Sequence, residues 1–132
     1  MIQGRPVPRV DAVFYQDADG ACPFIEWTDS LDDAVVEKLV ATVESLELNG
    51  TELRRPTADL LRNGIYELRL RHYKVQYRVL YFFHGRVAVV LSHGIVKLGR
   101  VPDKEIEKAI ENRRHFEADP NRHTYREPED AN

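Results

Sequence analysis

One cysteine, one methionine and one tryptophan stand among 132 residues. Cys22 alone cannot close an internal disulfide, so the fold must rest on its own core. Such sparing use of cysteine fits a reducing, cytoplasmic setting. The five histidines and Cys22 show no close ligand-pair spacing, which argues against a structural zinc site. No apolar run approaches the roughly 20 residues that span a bilayer, so no membrane role is expected. The first residues, Met1 to Arg9, hold no apolar stretch, and a signal peptide is not expected. Internal repeats are absent. The most informative shortage is local. Between residues 54 and 100 there are only two acidic side chains, Asp59 and Glu67, against ten Lys and Arg.

That stretch carries +8 in a chain whose net charge is −3, so the remainder carries −11. Whole-chain charge hides such sorting, and a local patch decides which partners are attracted. The length suits one domain of residues 1–118 with one modest core, followed by a polar tail, 119–132, containing Pro120 and Pro128. The tail is expected to order only by docking on something, and His123 and Tyr125 within it carry no assignment.

Periodicity gives the elements. Val10–Tyr15 reads as a strand, ended by the turn-rich Gln16 to Gly20. Cys22–Trp27 follows without a clear assignment. Val35, Val36, Leu39, Val40, Val43 and Leu46 then fall at helical spacing as one buried stripe. Ser30 is the expected cap of that helix, and Asn49-Gly50 its stop. Ala58–Leu61 reads as a short helix or turn ended by Asn63-Gly64. The period then changes to two. Ile65–His72, Val75–Phe83 and Arg86–His93 read as three strands joined by short hairpins at Tyr73-Lys74 and His84-Gly85. Pro102 opens a last helix with Ile106, Ala109, Ile110 and Arg113 on one face. The fold class is α+β: a small antiparallel sheet with N-terminal helices and a C-terminal helix, the helices packed on one sheet face.

Alternation places Glu67, Arg69 and Arg71 on one face of their strand and Tyr66, Leu68 and Leu70 on the other. Arg78 can share the charged face, and Lys97 follows the third strand. Arginines converging on an open sheet face can grip phosphate through bidentate hydrogen bonds and stabilise charge on phosphorus. The same pattern also describes an ordinary solvated face, with Arg paired to Glu67. On an open face, Arg78→Ala would cost about 0.5 kcal/mol or less of stability. Tyr66, Tyr77, Tyr81, Phe82 and Phe83 read as core aromatics. His93, at an expected strand end, is a candidate acid or base near neutral pH. The 54–100 stretch has no acidic cluster for Mg²⁺, and no metal or other cofactor is expected.

Four strings in order, Leu61-Arg-Asn-Gly-Ile-Tyr-Glu-Leu-Arg69, Gln76-Tyr-Arg-Val-Leu-Tyr-Phe82, Val89-Val-Leu-Ser-His-Gly-Ile-Val-Lys97 and Glu105-Ile-Glu-Lys-Ala109, resemble the phage-derived HigB-like branch of the RelE/ParE toxin superfamily. The resemblance runs from about Leu31 to Phe116 and implies a RelE-like fold. It implies the toxin of a type II toxin–antitoxin pair, an endoribonuclease cutting mRNA, usually on the ribosome, by metal-independent attack of the 2′-hydroxyl. Carried over by motif, Arg69, Arg78, His93 and Lys97 form the catalytic set, and Glu67, Arg71 and Lys74 lie along the RNA. Glu67 stands where relatives often have a second Lys. The implied partners are a cognate helix-turn-helix antitoxin, mRNA and the ribosome. Two other readings stay open: a non-enzymatic ParE-like toxin that binds gyrase, and a degenerate homologue that keeps only antitoxin binding.

Overall fold

A computed structural model describes residues 9–86, 88–97 and 99–127. The expected absence of a signal peptide, Val87 of the third expected strand, and the end of the tail from residue 128 lie outside that range. Strand β1 (Asp11–Phe14) is followed by two helices, α1 (Pro23–Thr28) and α2 (Asp33–Asn49). After a 3₁₀ turn come β2 (Ala58–Arg62), β3 (Ile65–His72), β4 (Val75–His84) and β5 (Ala88–Val96). Helix α3 (Asp103–Ala118) and a short α4 (Pro120–His123) follow. The fold is α+β, with a five-stranded, mostly antiparallel sheet in the order β1-β5-β4-β3-β2. Among the described strands only β1 runs parallel to its neighbour, β5.

Helices cover both faces of this sheet, which corrects the expectation that they share one. Val79, Tyr81, Val89 and Leu91 pack with Phe24 of α1 and Leu39 and Leu46 of α2. Leu80, Phe82, Val90 and Ile65 pack instead with Ile106, Ala109 and Phe116 of α3. The run Val79-Leu-Tyr-Phe82 is apolar at every position, and such a run marks a central strand buried on both sides. Periodicity alone does not say which helix covers which side.

Ala58–Leu61 is part of an edge strand, not a helix. Ala58 stands opposite Leu68 and Asp59 opposite Glu67 in antiparallel register. Asn63 and Gly64 both take positive φ, 53° and 77°, the two-residue geometry that folds a hairpin back on itself. The Asn-Gly pair therefore reverses a strand here and does not end a helix. Helix α2 starts two residues later than expected, with Asp32 at its N-cap, while Ser30 Oγ donates to the Trp27 carbonyl. Cys22 precedes α1, which opens on Pro23, a residue suited to a first helical turn. Trp27 of α1 lies over Gly94 of β5, where any Cβ would run into the indole ring.

The first part of the segment read as a tail is docked on β1. Thr124 bridges Tyr15, the Tyr125 amide donates to the Phe14 carbonyl at 2.8 Å, and His123 stacks on Tyr15. No helix among the described residues is long and apolar enough to cross a membrane.

Candidate functional site

Hairpin β3–β4 builds the site. Its register sets Arg69 directly opposite Arg78, and Arg71 opposite Gln76. One strand further, Ile95 faces Arg78 and His93 faces Leu80, while the Lys97 amide donates to the Gln76 carbonyl. The charged residues thus share the sheet face that α3 occupies lower down. Two guanidinium groups facing each other across a ladder repel. Glu67 resolves this: Oε2 lies 3.0 Å from Arg69 Nη2 and Oε1 lies 3.2 Å from Arg78 Nη1. Asp59, Glu67's neighbour on β2, adds a second carboxylate, 3.3 Å from Arg69 Nη2 and 2.9 Å from Arg55 Nε. The hydrogen bond that Arg69 Nη2 donates to Glu67 Oε2 raises the pKa of Arg69 further, so that guanidinium keeps its charge.

Burial corrects the picture of an open face. Glu67 is only 3% exposed and Arg78 only 8%. Both sit inside the sheet, flanked by β2 and β4 for Glu67 and by β3 and β5 for Arg78, and their burial is something strand periodicity cannot show. The donors are not all used. Arg78 Nη2 donates to Gln76 Oε1 at 3.0 Å, but the Nε groups of Arg69 and Arg78 are buried without a hydrogen-bond partner. Glu67 Oε1 is close to Arg78 but not aligned as a hydrogen bond, so it too keeps spare capacity. Buried donors without partners are uncommon and costly, and they mark places where a ligand can complete the set. A cleft of about 370 Å³ opens here, lined by Thr57, Arg69, Arg71, Gln76 and Arg78 among others.

The remaining expected residues fall at different distances from this centre. Arg71 lines the cleft, with its Nε donating to the Tyr73 carbonyl. Lys97 is exposed beside Gln76, and Lys74 is exposed at the hairpin turn. His93 is not at a strand end. A register shift between Leu80 and Tyr81 leaves Ser92 as an extra residue in β5. The bulge turns both Ser92 and His93 toward α3. His93 is buried there, with Nδ1 2.8 Å from Ser92 Oγ and Nε2 3.0 Å from Glu105 Oε1, while Asn112 donates to Ser92 Oγ. Burial, helped by the charge of Lys108, lowers its pKa below the ordinary value. In the neutral ring Nε2 donates to Glu105 and Nδ1 accepts from Ser92, which uses both nitrogens. Among the described residues no three His, Cys, Asp or Glu side chains gather as a metal site.

Sequence reasoning missed Asp59, Arg55 and Gln76. Gln76 carried a signal, since it sits two residues before Arg78 on the same face. Asp59 did not, because a short helix or turn over Ala58–Leu61 gives no strand register to place it beside Glu67. The family comparison adds what geometry cannot. A model of the phage-derived Gp49-like proteins (DUF891) matches residues 26–114. The chain belongs to this Gp49-like family. The family falls within the RelE/HigB-like toxin group. The matched span contains α2, the whole basic hairpin and most of α3, so the cleft of this Gp49-like protein lies inside the family region. No curated protein matches the chain.

Proposed function

We propose that this Gp49-like protein is the toxin of a type II toxin–antitoxin pair, an endoribonuclease that cuts mRNA on the ribosome. The observation that carries this reading is the cross-strand pair Arg69 and Arg78, with buried Nε donors left unpartnered beside a cleft. In this reading the two guanidiniums hold the scissile phosphate. The RNA 2′-oxygen attacks the adjacent phosphorus, the bond to the 5′-oxygen breaks, and a 2′,3′-cyclic phosphate and a 5′-hydroxyl remain. One proton leaves the 2′-oxygen and one arrives at the 5′-oxygen. Charge that builds on the phosphoryl oxygens is stabilised by Arg69 and Arg78, so no metal is needed for it. Arg71, Lys74 and Lys97 line the path of flanking phosphates. Glu67 orients the two arginines and does not touch RNA. His93 acts as a positioning residue through the β5–α3 contact. The cognate helix-turn-helix antitoxin inhibits by laying an acidic segment over the cleft, and the setting is the cytoplasm.

One observation favours a second reading, partner binding without catalysis. Glu67 and Asp59 already neutralise part of the cationic cluster from within. The deciding experiment is induced expression of the wild type and of Arg69→Ala, with growth and mRNA ends followed together. The nuclease reading expects growth arrest and fragments ending in 2′,3′-cyclic phosphate, both reduced on the order of a hundredfold in the variant. In a reconstituted assay a 2′-deoxy nucleotide at the scissile position blocks cleavage and EDTA in a ribosome-free reaction does not. Growth arrest with intact mRNA would leave the partner-binding reading, and stalled topoisomerase complexes would point to gyrase.

A further inference from the structure

The apolar stripe of α2 is wider than the sheet beneath it. Val35, Leu39 and Leu46 are buried against the strands, but Val36 and Val43 are only partly covered and Val40 is 53% exposed. These three valines, with Phe14 of β1 and Phe24 and Ile25 of α1, line a second cavity of about 370 Å³. It lies between α1, α2 and β1, on the opposite side of the sheet from the arginine side chains. Apolar surface left together in a groove, and not scattered singly, marks a place of contact.

Charge says what kind of partner fits. Glu44 and Glu47 stand in the wall of the groove. From Asp11 to Asn49 the chain carries ten carboxylates and one cation, Lys38. Lys38 is turned to the β3 end, where its Nζ lies 3.4 Å from the Arg71 carbonyl. The groove is therefore apolar at its floor and anionic at its rim. Nucleic acid and acidic peptides are repelled, and a second copy using the same face would bring like charges together. The lining residues of α2 run from Val36 to Glu47, about 16 Å of helix, which matches three turns of a partner helix laid alongside.

We propose that this groove docks a basic amphipathic helix of a partner protein, with the partner's apolar stripe on Val36, Val40 and Val43 and its Lys and Arg over Glu44 and Glu47. Helix-in-groove recognition of this kind reads apolar anchors at i, i+3 and i+4 and uses the rim charges for selectivity. The inference does not rest on the nuclease reading, since no residue of the groove touches the cleft.

The test titrates the full chain against a fluorescein-labelled designed helix of about 20 residues, long enough to hold helical structure. It has Leu and Ile on one face and Lys and Arg elsewhere, and its twin carries Glu at every Lys and Arg. Anisotropy is expected to show saturable binding of the basic peptide, at least tenfold tighter than that of the acidic twin. Val40→Asp should weaken binding tenfold or more, and Glu44→Lys several-fold with reduced salt dependence. Both positions are exposed, and thermal melts matching the wild type show that the variants fold. Arg69→Ala, in the cleft and checked by the same melts, should leave binding unchanged. Equal binding of both peptides, loss only in the cleft variant, or no binding at millimolar peptide overturns the proposal. So does concentration-dependent self-association that Val40→Asp abolishes, which would make the groove a contact between copies of this chain.

Discussion

Arg69 and Arg78 stand directly opposite one another on β3 and β4, and one carboxylate, Glu67, holds them both. Two adjacent cations on a ladder require an anion between them. Within the free protein that anion is Glu67, assisted by Asp59. The site is thus organised around a negative charge before any ligand arrives, and its unpartnered Nε donors are where a second anion can be shared. This makes the pair testable as a unit.

Glu67→Gln keeps the shape of the side chain and removes its charge. The expected cost is about 3 kcal/mol, at the low end for a broken buried ion pair because Arg69 is 34% exposed and partly screened. Inorganic phosphate should bind the variant more tightly than the wild type by about tenfold, near 1.4 kcal/mol. Urea melts with and without phosphate measure both effects. A variant with unchanged stability and no gain in phosphate affinity would show that Glu67 is not the internal counter-ion.

Arg78→Ala should destabilise the protein by about 3 kcal/mol, not the 0.5 kcal/mol or less of an open-face arginine, because it leaves Glu67 buried without one of its cations. Arg69→Ala also takes a cation from Glu67, but water can reach the vacated position, which is 34% exposed, so it should cost less, about 1–2 kcal/mol. Comparing the two by urea denaturation separates the buried arginine from the accessible one. Growth arrest should be lost in both, but only in Arg69→Ala without much loss of folded protein.

His93 sets a pH dependence of stability. Its pKa in the fold lies below the ordinary 6.5, from burial first and Lys108 second. Between the folded and unfolded pKa values the unfolded chain binds more protons, so unfolding is favoured as pH falls. The contribution is fully present above about pH 6.5 and is lost as pH drops below it, by at most about 1.4 kcal/mol per pH unit. In His93→Gln the fall in stability between pH 7 and pH 5 should be shallower than in the wild type. Identical slopes by urea denaturation would contradict this assignment.

Gly94→Ala should be destabilising by about 2 kcal/mol through overpacking, because its methyl group enters the space of the Trp27 ring. Trp27 is also packed near Phe24 and Tyr77, so the ring has little room to retreat. As the chain's single tryptophan, it reports the change directly. Shifted Trp emission with a lower melting temperature is the expected result, and an unperturbed spectrum would mean that α1 moves freely over β5.

The sequence by itself determined which side chains share a face. Period-two alternation put Glu67, Arg69 and Arg71 together, and the short hairpin at Tyr73-Lys74 brought Arg78 alongside, because strand geometry is local. It also showed the charge sorting between the basic hairpin and the acidic first third. What alternation cannot report is cover. Only the tertiary structure decided that α3 packs on the same sheet face as the charged residues, that Glu67 and Arg78 are nearly dry, and that Val40 of α2 is left exposed. It also decided that Ala58–Arg62 is a strand carrying Asp59 into the site, and that a bulge turns His93 inward to Glu105. Each of these depends on contacts between residues far apart in the chain. Burial is a property of what packs above a face, and no spacing within one strand or helix encodes it.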